Sequence, residues 1–205
     1  MLGYQYPRYQ YYCAVAAWAA MLALAACSNT AKPTFLSTDI TGVTFGREFQ
    51  LTDHKGASRT LADFKGKAIV LFFGYTHCPD ICPATMAEIA SAMQKLGKDA
   101  ARVQVLFVTV DPERDTPEAL KQYLSMFNPS FLGLHGDIET TQKIADEFKI
   151  VYQKRVGDSP DHHTVDHSAG VYVFDTKGQL RLYANGSGNT GDILAHDIAE
   201  LLRTA

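Results

Sequence analysis

A six-residue apolar run, Ala68 to Phe73, stops at Gly74 and opens into Tyr75-Thr76-His77-Cys78-Pro79-Asp80-Ile81-Cys82-Pro83. An apolar run of this length, closed by glycine, reads as a buried strand rather than a helix. Pro83 has no N–H and fits the first helical position, which places Cys82 at the N-cap and Cys78 in the turn before it. The chain must therefore fold so that a central strand hands over to a helix through a loop holding two thiols. The unpaired N–H groups and the dipole at a helix start favour a thiolate, so both cysteines are expected to ionise more readily than a free thiol. A thiolate is the form that binds metal or attacks a disulfide.

The remaining sequence limits what such a site can serve. The chain has 205 residues, a formal net charge of −3 and four cysteines. No run of basic residues is present, which excludes a nucleic-acid partner. Length implies one globular domain plus a leader. Cys13 and Cys27 fall in that leader, so the domain keeps only Cys78 and Cys82 and is not a disulfide-stapled scaffold. The apolar stretch Ala14 to Ala26 is too short to span a bilayer comfortably and has the length of a signal-peptide core, although Arg8 makes its start only weakly basic. Leu24-Ala25-Ala26-Cys27 resembles the lipobox of bacterial lipoproteins, with Cys27 as the lipidated residue; an ordinary cleaved signal is the alternative, and either exports the protein. The expected organisation is a lipoprotein-type signal peptide over 1–26, a tether over 27–45 and one domain over 46–205.

Within that domain, Glu48 to Thr52 alternates and runs into Asp53-His54-Lys55-Gly56, a hairpin signal. Thr60 to Phe64 suggests a short helical turn. Ala84 to Leu96 has helical spacing, closed by Gly97, and Val103 to Val110 reads as a second strand buried on both faces. Thr116 and Pro117 open a helix reaching about Phe127. A short strand (Phe131 to Leu134), a helix (Glu139 to Phe148) and another short strand (Ile150 to Gln153) follow. Val156 to Asp166 is polar and reads as a loop. Gly170 to Phe174 and Leu180 to Tyr183 flank Asp175-Thr176-Lys177-Gly178, a second hairpin, and Asp192 to Leu202 closes the chain as an amphipathic helix. A βαβ unit followed by ββα is the thioredoxin plan. The expected fold is α/β: a thioredoxin-like central sheet with flanking helices, an N-terminal hairpin and an inserted αβ segment.

Cys78 and Cys82 could be two small buried hydrophobes, but His77, Pro79, Asp80 and Pro83 around them argue for a polar, open setting. Two thiolates this close suit a reversible disulfide or a soft metal, Cu(I) or zinc. Two sulfurs underfill either metal, so a third ligand is required. His167, in Val165-Asp166-His167-Ser168, is the candidate: in the thioredoxin plan the residue entering the following strand faces the start of the first helix. The competing reading of His167 is a loop histidine with one ordinary hydrogen bond. His77, Asp80 and Asp166 are candidates to support the ligands from behind, and Asp80 could equally be a turn former. His162 and His163 read as solvated loop residues that recruit metal weakly at most; His54, His135 and His196 read as surface or turn residues. Asp111 and Asp115 are best explained as strand-end and helix-cap residues. Gly186 to Gly191 spells G-x-G-x-x-G, but no further parallel strand or acidic residue follows its helix, so it reads as a flexible loop rather than a dinucleotide site.

Thr76 to Pro83, Val108 to Thr116 and Val165 to Ser168 together resemble the Sco/SenC family, and the resemblance runs in order over about residues 41–205. It implies a thioredoxin-like domain on the outer, periplasmic side of an energy-transducing membrane. It implies copper held by two cysteines and one histidine, which fall here on Cys78, Cys82 and His167. It further implies copper delivery to the binuclear copper site of cytochrome c oxidase, by a carrier rather than an enzyme. Cu(I) suits the sulfurs, and the imidazole makes Cu(II) acceptable too. The implied partners are the copper-site subunit of the oxidase, other copper chaperones and, through the lipid, the membrane. The alternative is a thiol–disulfide oxidoreductase that reduces the cysteines of that site, with Cys78 attacking and Cys82 resolving, or a redox sensor. Two departures from thioredoxin weigh against a general reductase: three residues separate the cysteines where thioredoxin has two, and no proline precedes Gly170.

Overall fold

The computed structural model describes residues 33–159, 162–186 and 188–204, apart from the side chains of residues 156–159, 162, 163 and 167. In chain order the elements are β1 (Thr38–Asp39), β2 (Gln50–Asp53), β3 (Ser58–Thr60), β4 (Ala68–Gly74), α1 (Ile81–Leu96), β5 (Val103–Thr109), α2 (Pro117–Ser125), β6 (Leu132–His135), α3 (Ile138–Glu147), β7 (Tyr152–Ser159), β8 (His162–His167), β9 (Val171–Phe174), β10 (Leu180–Ala184) and α4 (Thr190–Arg203). Eight strands form one sheet in the order β1-β10-β9-β4-β5-β6-β2-β3, while β7 and β8 form a separate two-stranded ribbon. Strands β4, β5 and β6 are mutually parallel and β9 runs antiparallel to β4. All seven residues of β4 are buried, as a strand covered on both faces requires, and this is why its sequence is uniformly apolar. The α/β plan expected from the sequence is the one observed.

Local chemistry sets most boundaries. Thr116 caps α2, its Oγ1 accepting the Ala119 N–H, with Pro117 in the first turn. Asp137 caps α3 in the same way through Thr140 N–H. The turn between β9 and β10 is held by Asp175, whose Oδ1 accepts from Lys177 and Gln179 N–H, and Gly178 supplies the positive φ of 78° that the turn needs. The predicted turn at Thr60 to Phe64 is a 3-10 helix over Leu61–Phe64 with a Thr60–Asp63 capping box.

Three expectations require correction. Helix α1 starts at Ile81 with Asp80 as N-cap, so Cys82 lies inside the first turn and not at the cap. Pro83 is compatible with this, because no N–H in a first turn has an intrahelical acceptor to lose. The polar stretch Val156 to Asp166 is mostly strand: β7 pairs antiparallel with β8, with Tyr152 opposite His167 and Lys154 opposite Val165. Its polarity reflects a ribbon wetted on most of its surface, with backbone pairing in place of burial. Finally, part of the stretch read as a tether packs on the domain. Thr38 pairs with Tyr183, and the N–H groups of Leu36 and Ser37 donate to Asp197 Oδ1 and Oδ2, both at 2.8 Å. Residues 1–32, which include the leader and Cys27, lie outside the described residues.

Asp197 is completely buried, and a buried carboxylate persists only with donors around it. Replacing Asp197 by Ala deprives two backbone N–H groups of their acceptor. Stability should fall by about 1–3 kcal/mol, read as a lower urea midpoint at unchanged slope.

Candidate metal and redox site

The two sulfurs occupy different environments. Cys82 is fully buried on the inner side of α1. A Cβ at Gly74 would stand 3.0 Å from Cys82 Sγ and 2.9 Å from the Phe107 ring, so the glycine that ends β4 leaves the space this sulfur uses. Cys78 is half-buried. Its Sγ accepts the Cys82 N–H at 3.4 Å, and its own N–H donates to Tyr75 O at 3.3 Å. Both cysteines are free thiols.

The helix start therefore does not serve the two thiols equally. One first-turn N–H points at Cys78 Sγ. The hydrogen bond that joins Cys82 to Cys78, followed by burial, pushes the Cys82 thiol well above the ordinary range. The expectation that both thiols ionise readily fails for Cys82, because this sulfur was placed at an exposed cap and lies in the core.

The loop carrying Cys78 is fastened by Asp115. This carboxylate is 1% exposed and accepts from Thr76 N–H at 3.0 Å, Thr76 Oγ1 at 2.6 Å and Thr109 Oγ1 at 2.6 Å. It thereby nails the loop to the end of β5. The sequence reading of Asp115 as a helix cap was wrong, since Thr116 fills that role. One sequence signal could have exposed it: an aspartate beside an already capped helix has no local task. Asp111, as expected, closes the strand end, and it also pairs with Arg114, whose guanidinium stands 5.8 Å from the centre of the Tyr75 ring.

Tyr75 reaches the other way. Its hydroxyl accepts Val165 N–H at 3.2 Å, which brings β8 opposite the cysteine loop. Tyr75, Cys78, Ile81, Thr164, Val165 and Asp166 line a cleft of about 390 Å³ between them. The backbone of His167 ends β8 on that wall; its side chain, like those of His162 and His163, lies outside the described residues.

The other candidates are accounted for individually. His77 is exposed and its Nδ1 stands 3.0 Å from Thr76 Oγ1 and 3.7 Å from Asp115. Asp80 is the exposed N-cap of α1, with no capping bond from its side chain. Asp166 pairs with Arg155 across the ribbon at 2.7 Å. His54 does more than turn the chain: its Nδ1 accepts Gly133 N–H at 3.0 Å and ties the β2–β3 hairpin to β6. His196 lies 3.0 Å from Asp197. In the G-x-G-x-x-G stretch, Gly191 N–H donates to Glu88 Oε2 at 2.7 Å, so a carboxylate from α1 already holds the start of α4. Among the described residues no three His, Cys, Asp or Glu side chains form a metal-holding group, and no helix is long and apolar enough to cross a membrane.

Alkylation should separate the two sulfurs: iodoacetamide should label Cys78 first and Cys82 only slowly, as peptide mass spectrometry will show. Asp115→Ala should narrow that gap and cost about 1–3 kcal/mol, because Thr76 N–H and Thr109 Oγ1 lose their acceptor.

The same geometry recurs in known proteins. The SCO1/SenC family model matches residues 37–203. The mitochondrial SCO2 homolog of Bos taurus is 38% identical over 138 residues, covering 66% of this chain and 52% of that protein. The chain spans roughly half to two thirds of the length of such curated relatives. The structure of Bradyrhizobium japonicum ScoI with copper bound aligns with a TM-score of 0.70 at 38% identity, covering 79% of this chain and all of that one. Apo Sco1 from Thermus thermophilus aligns with a TM-score of 0.74 at 38% identity, covering 83% of this chain and 99% of that one. With its cysteine loop, Asp111–Thr116 segment and His167 strand in the order those proteins share, the chain belongs to the SCO1/SenC family.

Proposed function

We propose that this domain is a copper metallochaperone whose cargo is held by Cys78, Cys82 and His167 and passed to the binuclear copper site of cytochrome c oxidase. The observation that carries the reading is one cleft with two walls: a free cysteine pair on one, and the strand that ends at His167 on the other. Two sulfurs and an imidazole are a soft donor set of the kind Cu(I) selects, and the imidazole accommodates Cu(II). Two further facts support it: a relative 38% identical has been solved with copper bound, and the Sco family is one of cytochrome c oxidase assembly proteins.

The unequal burial of the sulfurs suits a carrier. Cys82 is a deep anchor, and its thiol must give up a proton when metal takes its place, so loading releases protons. Cys78 borders the open cleft, where an incoming ligand from an acceptor protein can displace protein ligands in turn. Lipidation at Cys27 would hold the domain at the outer face of the membrane, since more than one acyl chain gives stable anchoring. The same adjacency favours a second reading, reduction of a partner disulfide, with the accessible Cys78 attacking and the buried Cys82 resolving. The two roles exclude each other at any one moment, because an oxidised pair cannot ligate copper.

Copper titration of the reduced domain tests the choice. Cys78→Ala, Cys82→Ala and His167→Ala should each weaken retention at least tenfold, or ~1.4 kcal/mol. Retention by His167→Ala equal to the parent's would sink the three-ligand site. Metal-free turnover on an oxidised copper-site peptide, indifferent to His167, would favour the reductase.

A further inference from the structure

Tyr75 stands between the two walls of the cleft and is 2% exposed. A phenol buried this deeply needs partners for its hydroxyl. It has one on each side: the oxygen accepts Val165 N–H at 3.2 Å, and the hydroxyl is hydrogen-bonded to Cys78. Two residues beyond Val165, β8 ends at His167.

The ribbon that carries His167 has few other attachments. Strands β7 and β8 pair with each other and with no strand of the main sheet. At the ribbon's base, Ser168 N–H donates to Val151 O at 3.1 Å. Tyr152 Oη donates to Gln142 Oε1 at 3.0 Å, and Lys154 pairs with Glu113 at 2.6 Å. The last pair is 42% and 52% exposed at its two ends, and exposed ion pairs contribute little. Val165 is 6% exposed, and a buried N–H that loses its acceptor bears the full desolvation cost. The Tyr75–Val165 bond is therefore the tie that fixes this part of β8 against the cysteine loop.

We propose that the Tyr75 hydroxyl is the positioning group that sets the His167 strand over Cys78 and makes its placement depend on the state of that sulfur. The O–H donates to Cys78 Sγ while the oxygen accepts from Val165. Hydrogen bonds in such a chain polarise and strengthen one another. A ligand that occupies the Cys78 lone pairs weakens the first bond and, through it, the second. Loading at Cys78 thus loosens the ribbon, which eases departure of the third ligand when the cargo is handed on. This rests on the reading of Cys78, Cys82 and His167 as a copper site.

The test is Tyr75→Phe, which keeps the ring and removes the hydroxyl. Amide exchange at Val165 is followed in the metal-free domain. The copper dissociation rate and the sulfur-to-Cu(II) charge-transfer band are followed in the parent, Tyr75→Phe, His167→Ala and the double variant. In Tyr75→Phe, Val165 exchange should rise about tenfold and copper should leave about three- to tenfold faster, with a shifted band. The double variant should lose copper no faster than His167→Ala alone, since both changes act through one ligand. Glu113→Gln should leave the copper dissociation rate unchanged. Unaltered Val165 exchange in Tyr75→Phe would overturn the proposal, and so would an undiminished effect of Tyr75→Phe in the His167→Ala background. Should His167→Ala and the parent hold copper equally, the copper reading fails, while Val165 exchange still decides whether Tyr75 holds the ribbon.

Discussion

A carboxylate with almost no access to water fastens the cysteine loop. Asp115 would be untenable at its depth without donors, because an unpaired buried charge costs far more than a domain can spare. It receives one backbone N–H and two hydroxyls, from Thr76 and Thr109. Charge-assisted bonds of this kind are short and strong. Thr109 is the last residue of β5, and Thr76 lies two residues before Cys78. The loop is thus referred directly to the centre of the sheet, and Cys78 inherits its position from β5 as much as from α1.

That anchoring explains the division between the sulfurs. A helix mouth alone would offer both thiols the same field. Here the loop is drawn toward Asp115, Gly74 opens a recess at the end of β4, and α1 starts a full turn's reach earlier than its proline suggests. Cys82 enters the recess and Cys78 stays at the rim. One sulfur becomes a fixed point and the other an exchangeable one. A site built to hold metal permanently would bury both; a site built only for fast exchange would bury neither.

How much of this was legible in the sequence follows the distance over which each interaction acts. The strand at Ala68, the cap at Thr116–Pro117 and the turn at Asp175–Gly178 are decided by neighbouring residues, and all three are readable from the chain. Asp115 meets Thr76 across 39 positions, Tyr75 meets Val165 across 90 and Leu36 meets Asp197 across 161. No periodicity encodes such pairs. The ribbon escaped notice for a related reason. Strand patterns betray themselves through alternating burial, and a two-stranded ribbon with little core contact has hardly any. The cysteine pair was legible because its chemistry is unusual, whereas the fate of each sulfur depended on a glycine and a ring contributed by two different strands.

The ribbon is also where stability and function pull apart. A two-stranded ribbon is marginal by itself in water, and β7–β8 adds to its own pairing one buried side chain, Val165, and a handful of hydrogen bonds. The main sheet has no such weakness: β4 is covered throughout and paired on both edges. Local openings concentrate where buried contacts are few, so the wall bearing His167 is the part of the domain that can yield without unfolding the rest. A carrier needs such an asymmetry. Its sulfur anchor must survive many cycles, and its third arm must let go in each of them. Placing the arm on a weakly buried ribbon, and its latch on a phenol in contact with the exchangeable sulfur, meets both requirements with a single fold.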